Sequence, residues 1–280
     1  IIAAALADGV STLENIVPSQ DIEATLRCMT VLGARWEAPK PGTIRVHGIG
    51  RGHTFVDLPR FDCGESGSTL RFLIPVAAAV RGGGSFTGRG RLMERPLGPY
   101  EQLFRERGLS WERSGNVLTV KGRLTAGEYR LPGDVSSQFV TGLLLALPLV
   151  EGDSQLCITS PLESEGYVDM TLEVLEQFGV RVEREGYERF RIPGGQRYQP
   201  RNVTVPGDWS QGAVWYAANF LDHQVKLEGL DPNSLQTDRN IAAYYWKLAR
   251  PGDRELDVSQ CPDLAPALVP WPFLPGEPPA

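Results

Sequence analysis

Arg91-Leu-Met-Glu-Arg95-Pro96 sets two arginines four residues apart beside a proline, directly after an expected strand. Guanidinium groups placed there could clamp a carboxylate or phosphate through paired N–H bonds. A solvated Arg–Glu surface pair is the alternative. Gly67-Ser68-Thr69, followed by Arg71, falls at the start of an apolar helix, where free backbone N–H groups and the helix dipole favour a bound anion. An ordinary Ser or Thr N-cap behind a turn glycine has the same local text. Ser136-Ser137-Gln138 repeats the pattern, and two adjacent hydroxyls plus an amide exceed the needs of capping. Taken alone, Ser164 and Tyr167 read as another N-cap and a packed aromatic, and Asp263 after Pro262 reads as a further N-cap.

Other reactive residue types give less. His47, His53 and His223 lack a nearby triad or metal-ligand pattern, and none is assigned a role. Cys63 beside Gly64 reads as a small buried hydrophobe ahead of a reactive thiol. With Cys28, Cys157 and Cys261 it shows neither zinc-finger nor Cys-x-x-Cys spacing, which predicts reduced thiols and a cytoplasmic location. A net charge of -6 argues against a nucleic-acid partner, so an anionic ligand must be held by a local cluster of Arg and Lys. No apolar run approaches the roughly 20 residues that span a bilayer, so no membrane partner is expected. The longest, Phe139 to Val150, reads as a buried core helix.

The elements that must position these groups recur about every 70 residues. Gly33-Ala-Arg-Trp36-Glu37 returns as Gly108-Leu-Ser-Trp111-Glu112 and again as Gly179-Val-Arg-Val182-Glu183. Leu131-Pro-Gly-Asp-Val-Ser-Ser-Gln138 returns as Val205-Pro-Gly-Asp-Trp-Ser-Gln211. Such a period means one supersecondary unit used several times, each burying its apolar face on its neighbours. Each unit is expected to run apolar helix, turn, strand, loop, amphipathic helix and two short strands. In the first, strands are expected at Ser11 to Ile16, Arg35 to Ala38 and Thr43 to His47, with a helix over Asp21 to Leu32 ended by Gly33. The second places helices at Ser68 to Val80 and Leu97 to Arg107, and strands at Ser85 to Gly88, Trp111 to Arg113 and Val117 to Lys121. Helices at Ser136 to Val150 and Tyr167 to Phe178 belong to the third, with strands at Gln155 to Thr159, Arg181 to Glu185 and Arg189 to Ile192. A partial fourth begins at Trp209, continues through a strand at Val225 to Leu227, and puts Asp238 to Leu248 in the second-helix position. The division expected is a lobe over 1–205, a partial second lobe over 206–269 and a proline-rich, non-native-looking tail over 270–280. Opening at Ile1 without an initiator Met and closing in that tail, the chain reads as a fragment.

Five motifs in order carry a resemblance. They are Asp62-Cys-Gly-Glu-Ser-Gly67-Ser-Thr-Leu-Arg71, Arg91-Leu-Met-Glu-Arg95-Pro, Asp134-Val-Ser136-Ser137-Gln138-Phe, Ser164-Glu-Gly-Tyr167-Val-Asp-Met-Thr and Pro262-Asp263. Together they resemble the 5-enolpyruvylshikimate-3-phosphate synthase (3-phosphoshikimate 1-carboxyvinyltransferase) family, from Ile1 to about Val269. The resemblance implies an α/β fold of enolpyruvyl-transferase-like lobes built from repeated βαβαββ units. It implies transfer of the enolpyruvyl group of phosphoenolpyruvate to the 5-hydroxyl of shikimate 3-phosphate, in the shikimate route to chorismate and aromatic amino acids. On this footing Ser136, Ser137, Gln138 and Ser164 bind shikimate 3-phosphate, with Tyr167 packing nearby. Gly67 and Arg95 hold phosphoenolpyruvate, and Gln138 touches both ligands. Asp263 matches the family's catalytic aspartate, which meets the 5-hydroxyl and acts in proton transfer. No metal or organic cofactor is implied, the partners are the two small-molecule substrates, and a monomer is expected.

The sequence departs from the family at Glu65-Ser66-Gly67-Ser68, where Asn-Ala-Gly-Thr is commoner. The family's Lys-Ser pair and an Arg fall before Ile1, and further cations and a carboxylate fall beyond Val269, so this chain as given is expected to be inactive. UDP-N-acetylglucosamine enolpyruvyl transferase is the nearest alternative, but it would want a cysteine in the loop near Arg91 to Pro96, and none is there. A non-catalytic remnant or isolated binding lobe is the alternative of a different class.

Overall fold

The computed structural model describes residues 1–50, 57–219, 224–249 and 255–268. His53, His223 and the stretch 270–280 lie outside them. The helices are α1 (Ile2–Leu6), α2 (Gln20–Leu32), α3 (Gly67–Arg81), α4 (Gly98–Glu106), α5 (Ser137–Ala146), α6 (Glu165–Gln177), α7 (Trp209–Asn219), α8 (Ile241–Ala249) and α9 (Ala265–Leu268). The strands are β1 (Val10–Glu14), β2 (Arg35–Lys40), β3 (Thr43–His47), β4 (Arg60–Asp62), β5 (Gly83–Thr87), β6 (Ser110–Ser114), β7 (Val117–Lys121), β8 (Gly127–Leu131), β9 (Ser154–Ile158), β10 (Glu183–Glu185), β11 (Arg189–Ile192) and β12 (Asn202–Thr204). The chain divides into two compact units, one of Ile1–Leu162 with Thr171–Val205 and one of Glu163–Met170 with Pro206–Ala280.

The first unit holds three four-stranded sheets of one design, ordered β12-β1-β3-β2, β4-β5-β7-β6 and β8-β9-β11-β10. In each, the first two strands are parallel and the next two pairs antiparallel. A parallel pair needs a crossover, and a helix fills it in the second and third sheets: α3 between β4 and β5, α5 between β8 and β9. The first sheet is closed differently, because its outer strand β12 comes from the far end of the unit, with Leu13 opposite Val203. Thus a βαβαββ pattern appears three times, once completed by a segment about 190 residues away in sequence.

Helix sidedness follows composition. Helices α1 and α5 are apolar nearly all round and are buried, as Phe139 through Ala146 show without exception. Helix α3 buries Leu70, Leu73, Ile74, Val76 and Ala77 in the same layer. Helices α2 and α4 are amphipathic and bury one stripe, Ala24, Leu26, Cys28, Met29 and Leu32 in the former and Tyr100, Leu103 and Phe104 in the latter. The Gly-x-x-Trp/Val-Glu period marks the turn out of each outer helix. Gly33, Gly108 and Gly179 all take positive φ there, leading into β2, β6 and β10 or the turn before it. Burial does not follow the repeat: Trp111 packs edge-on against Phe104 and is 5% exposed, whereas Trp36 on edge strand β2 is 43% exposed.

The expected helix over Ser136 to Val150 ends at Ala146 and tightens into a 3-10 turn, Leu147–Leu149, at Pro148. Strands β4, β8 and β12 were not among the expected elements. The expected strand at Val225 to Leu227 is corrected: these residues form no strand. The Val225 N–H donates to Asn219 Oδ1 at 2.7 Å, and its carbonyl accepts from Asn219 Nδ2 at 3.0 Å. Those ladder groups are thereby used by a side chain, and no neighbouring strand offers a replacement among the described residues. The second unit is helical there, with a core of Ala213, Ile241, Tyr245, Leu248, Cys261, Leu264, Ala267 and Leu268. Tyr216 stacks on Tyr245 with ring centroids 6.1 Å apart. No helix among the described residues is long and apolar enough to cross a membrane.

Candidate functional site

In the first unit the anion-suited residues gather at the starts of α3 and α5, which pack against each other. Ser66, not Ser68, caps α3: its Oγ accepts from the Thr69 N–H at 3.2 Å. A chain of hydroxyls fixes this turn, with Thr69 Oγ1 donating to Ser66 Oγ at 2.8 Å and lying 2.7 Å from Thr25 Oγ1 on α2. Gly67, the first residue of α3, is approached by a guanidinium. A β-carbon at that position would lie 2.5 Å from Arg95 Nη1, which rules out a side chain there unless Arg95 moves. Arg95 follows the 3-10 turn Leu92–Glu94 and is exposed, while Arg91 pairs with Glu94 at 3.0 Å on the surface. The arginine motif therefore separates: one member is the solvated surface pair, the other faces the start of α3.

Arg71, one turn into α3, joins the two helix starts. Its Nη1 donates to Gln138 Oε1 at 2.7 Å, and its guanidinium carbon lies 5.1 Å from the centre of the Phe139 ring. Burial first, and then the neighbouring charge of Arg95, lower its pKa from the usual guanidinium value. Two like charges held this close, one of them half-buried, make an electropositive spot that an anion would neutralise. At α5, Ser136 is the N-cap, its Oγ accepting from the Gln138 N–H at 3.3 Å, while Ser137 is 6% exposed. Gly67, Arg95, Ser136, Ser137 and Gln138 thus share the first unit.

Ser164, Tyr167 and Asp263 lie in the second. Ser164 precedes α6 with φ 57°, a left-handed conformation uncommon for a side-chain-bearing residue, and its N–H donates to the Ser259 carbonyl at 3.2 Å. The next residue, Glu165, donates its N–H to Gln260 Oε1 at 2.9 Å, so the start of α6 is tied to the segment before Asp263. The capping role expected locally for Asp263 is not what its carboxylate does. It sits in the 3-10 turn Pro262–Leu264, whose N-cap is Cys261 without a side-chain cap bond, and its Oδ2 accepts the Tyr167 hydroxyl at 2.6 Å. Tyr167 is accordingly more than a packed aromatic. Its hydroxyl also lies 3.2 Å from Asp238 Oδ2, and burial together with these acidic neighbours holds its pKa above the usual phenol value.

Sequence reasoning missed Asp238 altogether as a site residue and noted Arg71 only in passing. Gln236-Thr-Asp238-Arg239 before an apolar stretch carries no local signal beyond that of a helix start. Cys63 is fully buried and its thiol is pushed up, through its hydrogen bond to Cys28 and burial, so it is the small hydrophobe expected. Among the described residues no group of His, Cys, Asp and Glu is placed to hold a metal ion.

A family model described as EPSP synthase (3-phosphoshikimate 1-carboxyvinyltransferase) matches residues 1–255. The 3-phosphoshikimate 1-carboxyvinyltransferase of Clostridium novyi (strain NT) is 41% identical over 294 residues, covering 96% of this chain and 67% of that protein. That of Clostridium kluyveri is 41% identical over 286 residues, covering 96% and 66%. The solved EPSP synthase from Acinetobacter baumannii superposes with a TM-score of 0.72 at 25% identity, over 88% of this chain and 56% of that one. The chain thus spans about two thirds of these curated relatives and a little over half of the solved structure.

Proposed function

As this chain belongs to the EPSP synthase family, we propose that it serves enolpyruvyl transfer from phosphoenolpyruvate to the 5-hydroxyl of shikimate 3-phosphate, giving 5-enolpyruvylshikimate 3-phosphate and phosphate. The observation that carries the reading is Arg71 joining the Gly67 and Gln138 helix starts, with the Arg95 guanidinium against Gly67. Both substrates are anions, and this is where free helix N–H groups, hydroxyls and two guanidinium groups converge.

In this reading the phosphate of shikimate 3-phosphate is taken by the Ser136 and Ser137 hydroxyls of the first unit; Ser164 and Tyr167 of the second keep the contacts to that substrate which the family resemblance implies. Phosphoenolpyruvate lies on Arg95, next to Gly67, where a glycine leaves room for the guanidinium. Gln138, held by Arg71, meets both. Asp263 takes the proton of the 5-hydroxyl as that oxygen bonds to C2 of phosphoenolpyruvate, while a general acid protonates the methylene carbon. Return of a methyl proton to the conjugate base of that acid, with the C2–O bond electrons leaving on phosphate, then restores the double bond. Cationic charge develops at C2 and negative charge on the departing phosphate, so a fixed carboxylate beside the first and oriented donors at the second lower the barrier more than they bind the ground state. The residues supply no cysteine between Arg91 and Pro96, which favours the shikimate substrate over the UDP-sugar alternative. Soluble small-molecule partners suffice; the cytoplasmic location and monomeric state expected from sequence remain part of this proposal.

Calorimetric titration with shikimate 3-phosphate tests it. Binding is expected for the 280-residue polypeptide and is expected to vanish in Ser136→Ala/Ser137→Ala. Equal affinity in the double variant would leave Ser136 a helix cap and Ser137 a buried helix residue, and remove the basis of the substrate assignment.

A further inference from the structure

Asp238 is an acid in the second unit to which the proposed chemistry gives no part. It lies in the 3-10 turn Thr237–Asn240, is 2% exposed, and its Oδ1 has no hydrogen-bonding partner among the described residues. Burying a carboxyl group with an oxygen unsatisfied is costly, and such groups in folded proteins call for a reason. Its other oxygen, Oδ2, is 3.2 Å from the Tyr167 hydroxyl, and that hydroxyl is 2.6 Å from Asp263 Oδ2. Both carboxyl groups therefore lie within about 6 Å of each other across one phenol.

A phenol has one proton and two lone pairs. With both carboxyl groups ionised, they compete for that proton and repel each other. With Asp238 protonated, its own O–H can donate to the Tyr167 oxygen, and the phenol proton is committed to Asp263. We propose that Asp238 is a positioning residue for Asp263, acting through the Tyr167 hydroxyl to fix the orientation of the carboxylate that meets the substrate hydroxyl. The importance of Asp263 in this statement rests on the functional reading above; the link between the three residues does not.

The surroundings favour the protonated form. Burial is the main cause raising the Asp238 pKa, and the negative charges of Asp263 and Asp208 add to it, while the hydrogen bond from Tyr167 and that from its own backbone N–H oppose them. Cys261, in the segment carrying Asp263, feels Asp238 as a negative neighbour. Arg239, next along the same turn, directs its guanidinium to the Pro232 carbonyl at 2.8 Å.

The test is a pH titration by carbon NMR of the chain labelled at aspartate Cγ and tyrosine Cζ, with Asp238 assigned by its loss in Asp238→Asn. No substrate is present, so failure of the substrate assignment leaves the result intact. Asp263→Asn is expected to lower the Asp238 midpoint by roughly half a pH unit or more, by removing a like charge. Tyr167→Phe is expected to move it, because the phenol oxygen accepts from the protonated acid and the phenol proton can be given to its carboxylate. A midpoint unmoved by either substitution would overturn the proposal. Should Tyr167→Phe disturb the turn, the unaltered ring supplies a second readout: Tyr167 Cζ is expected to follow the titration of Asp238 and to lose that step in Asp238→Asn. Retention of the step in Asp238→Asn would equally overturn it.

Discussion

Adding one methyl group at Gly67 should weaken phosphoenolpyruvate binding without harming the fold. The new β-carbon would sit 2.5 Å from Arg95 Nη1, where ordinary contact begins at 3.4 Å, so the guanidinium must retreat by about 1 Å. It can do so cheaply, because Arg95 is exposed and Nη1 is the far end of a flexible chain. The backbone objects little, since Gly67 opens a helix with negative φ. Alanine is the better helix former there, so the thermal midpoint should be unchanged or slightly higher. A displaced guanidinium loses part of its two-point grip on an anion. A charge-assisted hydrogen bond contributes about 1.5–3 kcal/mol, so one such loss predicts roughly 10- to 100-fold weaker phosphoenolpyruvate binding. Shikimate 3-phosphate, placed on the serines of α5, should lose far less. Calorimetry of Gly67→Ala with each ligand, beside a thermal melt, measures all three quantities. Phosphoenolpyruvate affinity equal to that of the unaltered chain would refute the placement of that ligand on Arg95.

Arg71→Met removes the donor to Gln138 and the cation over Phe139; a stability loss of about 1 kcal/mol is expected in urea unfolding, with weaker binding of both ligands. Replacing Ser136 alone with Ala removes the cap of α5 and should cost about 0.5–2 kcal/mol, again by urea unfolding. Because the folded-state pKa of Asp238 is raised above 3.8, folding binds its proton more tightly, so its contribution is full at low pH and is lost as pH rises from about 4 through the folded midpoint. Thermal melts should show this decline in the unaltered chain and a flatter profile in Asp238→Asn; parallel profiles would contradict it.

Much of the first unit could be read from its text because its elements are local. A glycine ending α2 at Leu32, the apolar run of α5 and the alternation in β7 each follow from a few neighbouring residues. Strands β4, β8 and β12 were not visible for the opposite reason. They are three to five residues long, and they exist because a parallel neighbour accepts their ladder bonds. The Pro-Gly-Asp landmark lies just beyond β8 and β12, and in retrospect marks the exit from an outer strand into a helix. At the site, the helix-start serines were legible as motifs. The Arg71–Gln138 bond joins residues 67 apart, and the Tyr167–Asp238 bond joins residues 71 apart. Nothing in either local sequence encodes the partner, so Asp238 reads as the opening of one helix and Asp263, after Pro262, as the N-cap of another.

The hydroxyl- and arginine-bearing helix starts of this chain are proposed to hold the two anionic substrates of enolpyruvyl transfer. A crystal structure of the chain grown with shikimate 3-phosphate and phosphoenolpyruvate would show whether they do. The shikimate phosphate is expected within hydrogen-bonding distance of Ser136 and Ser137, phosphoenolpyruvate on Arg95 beside Gly67, and the Gln138 amide touching both. Ligands bound elsewhere, with Arg71 still holding Gln138 and Ser136 making only its capping bond, would contradict that placement.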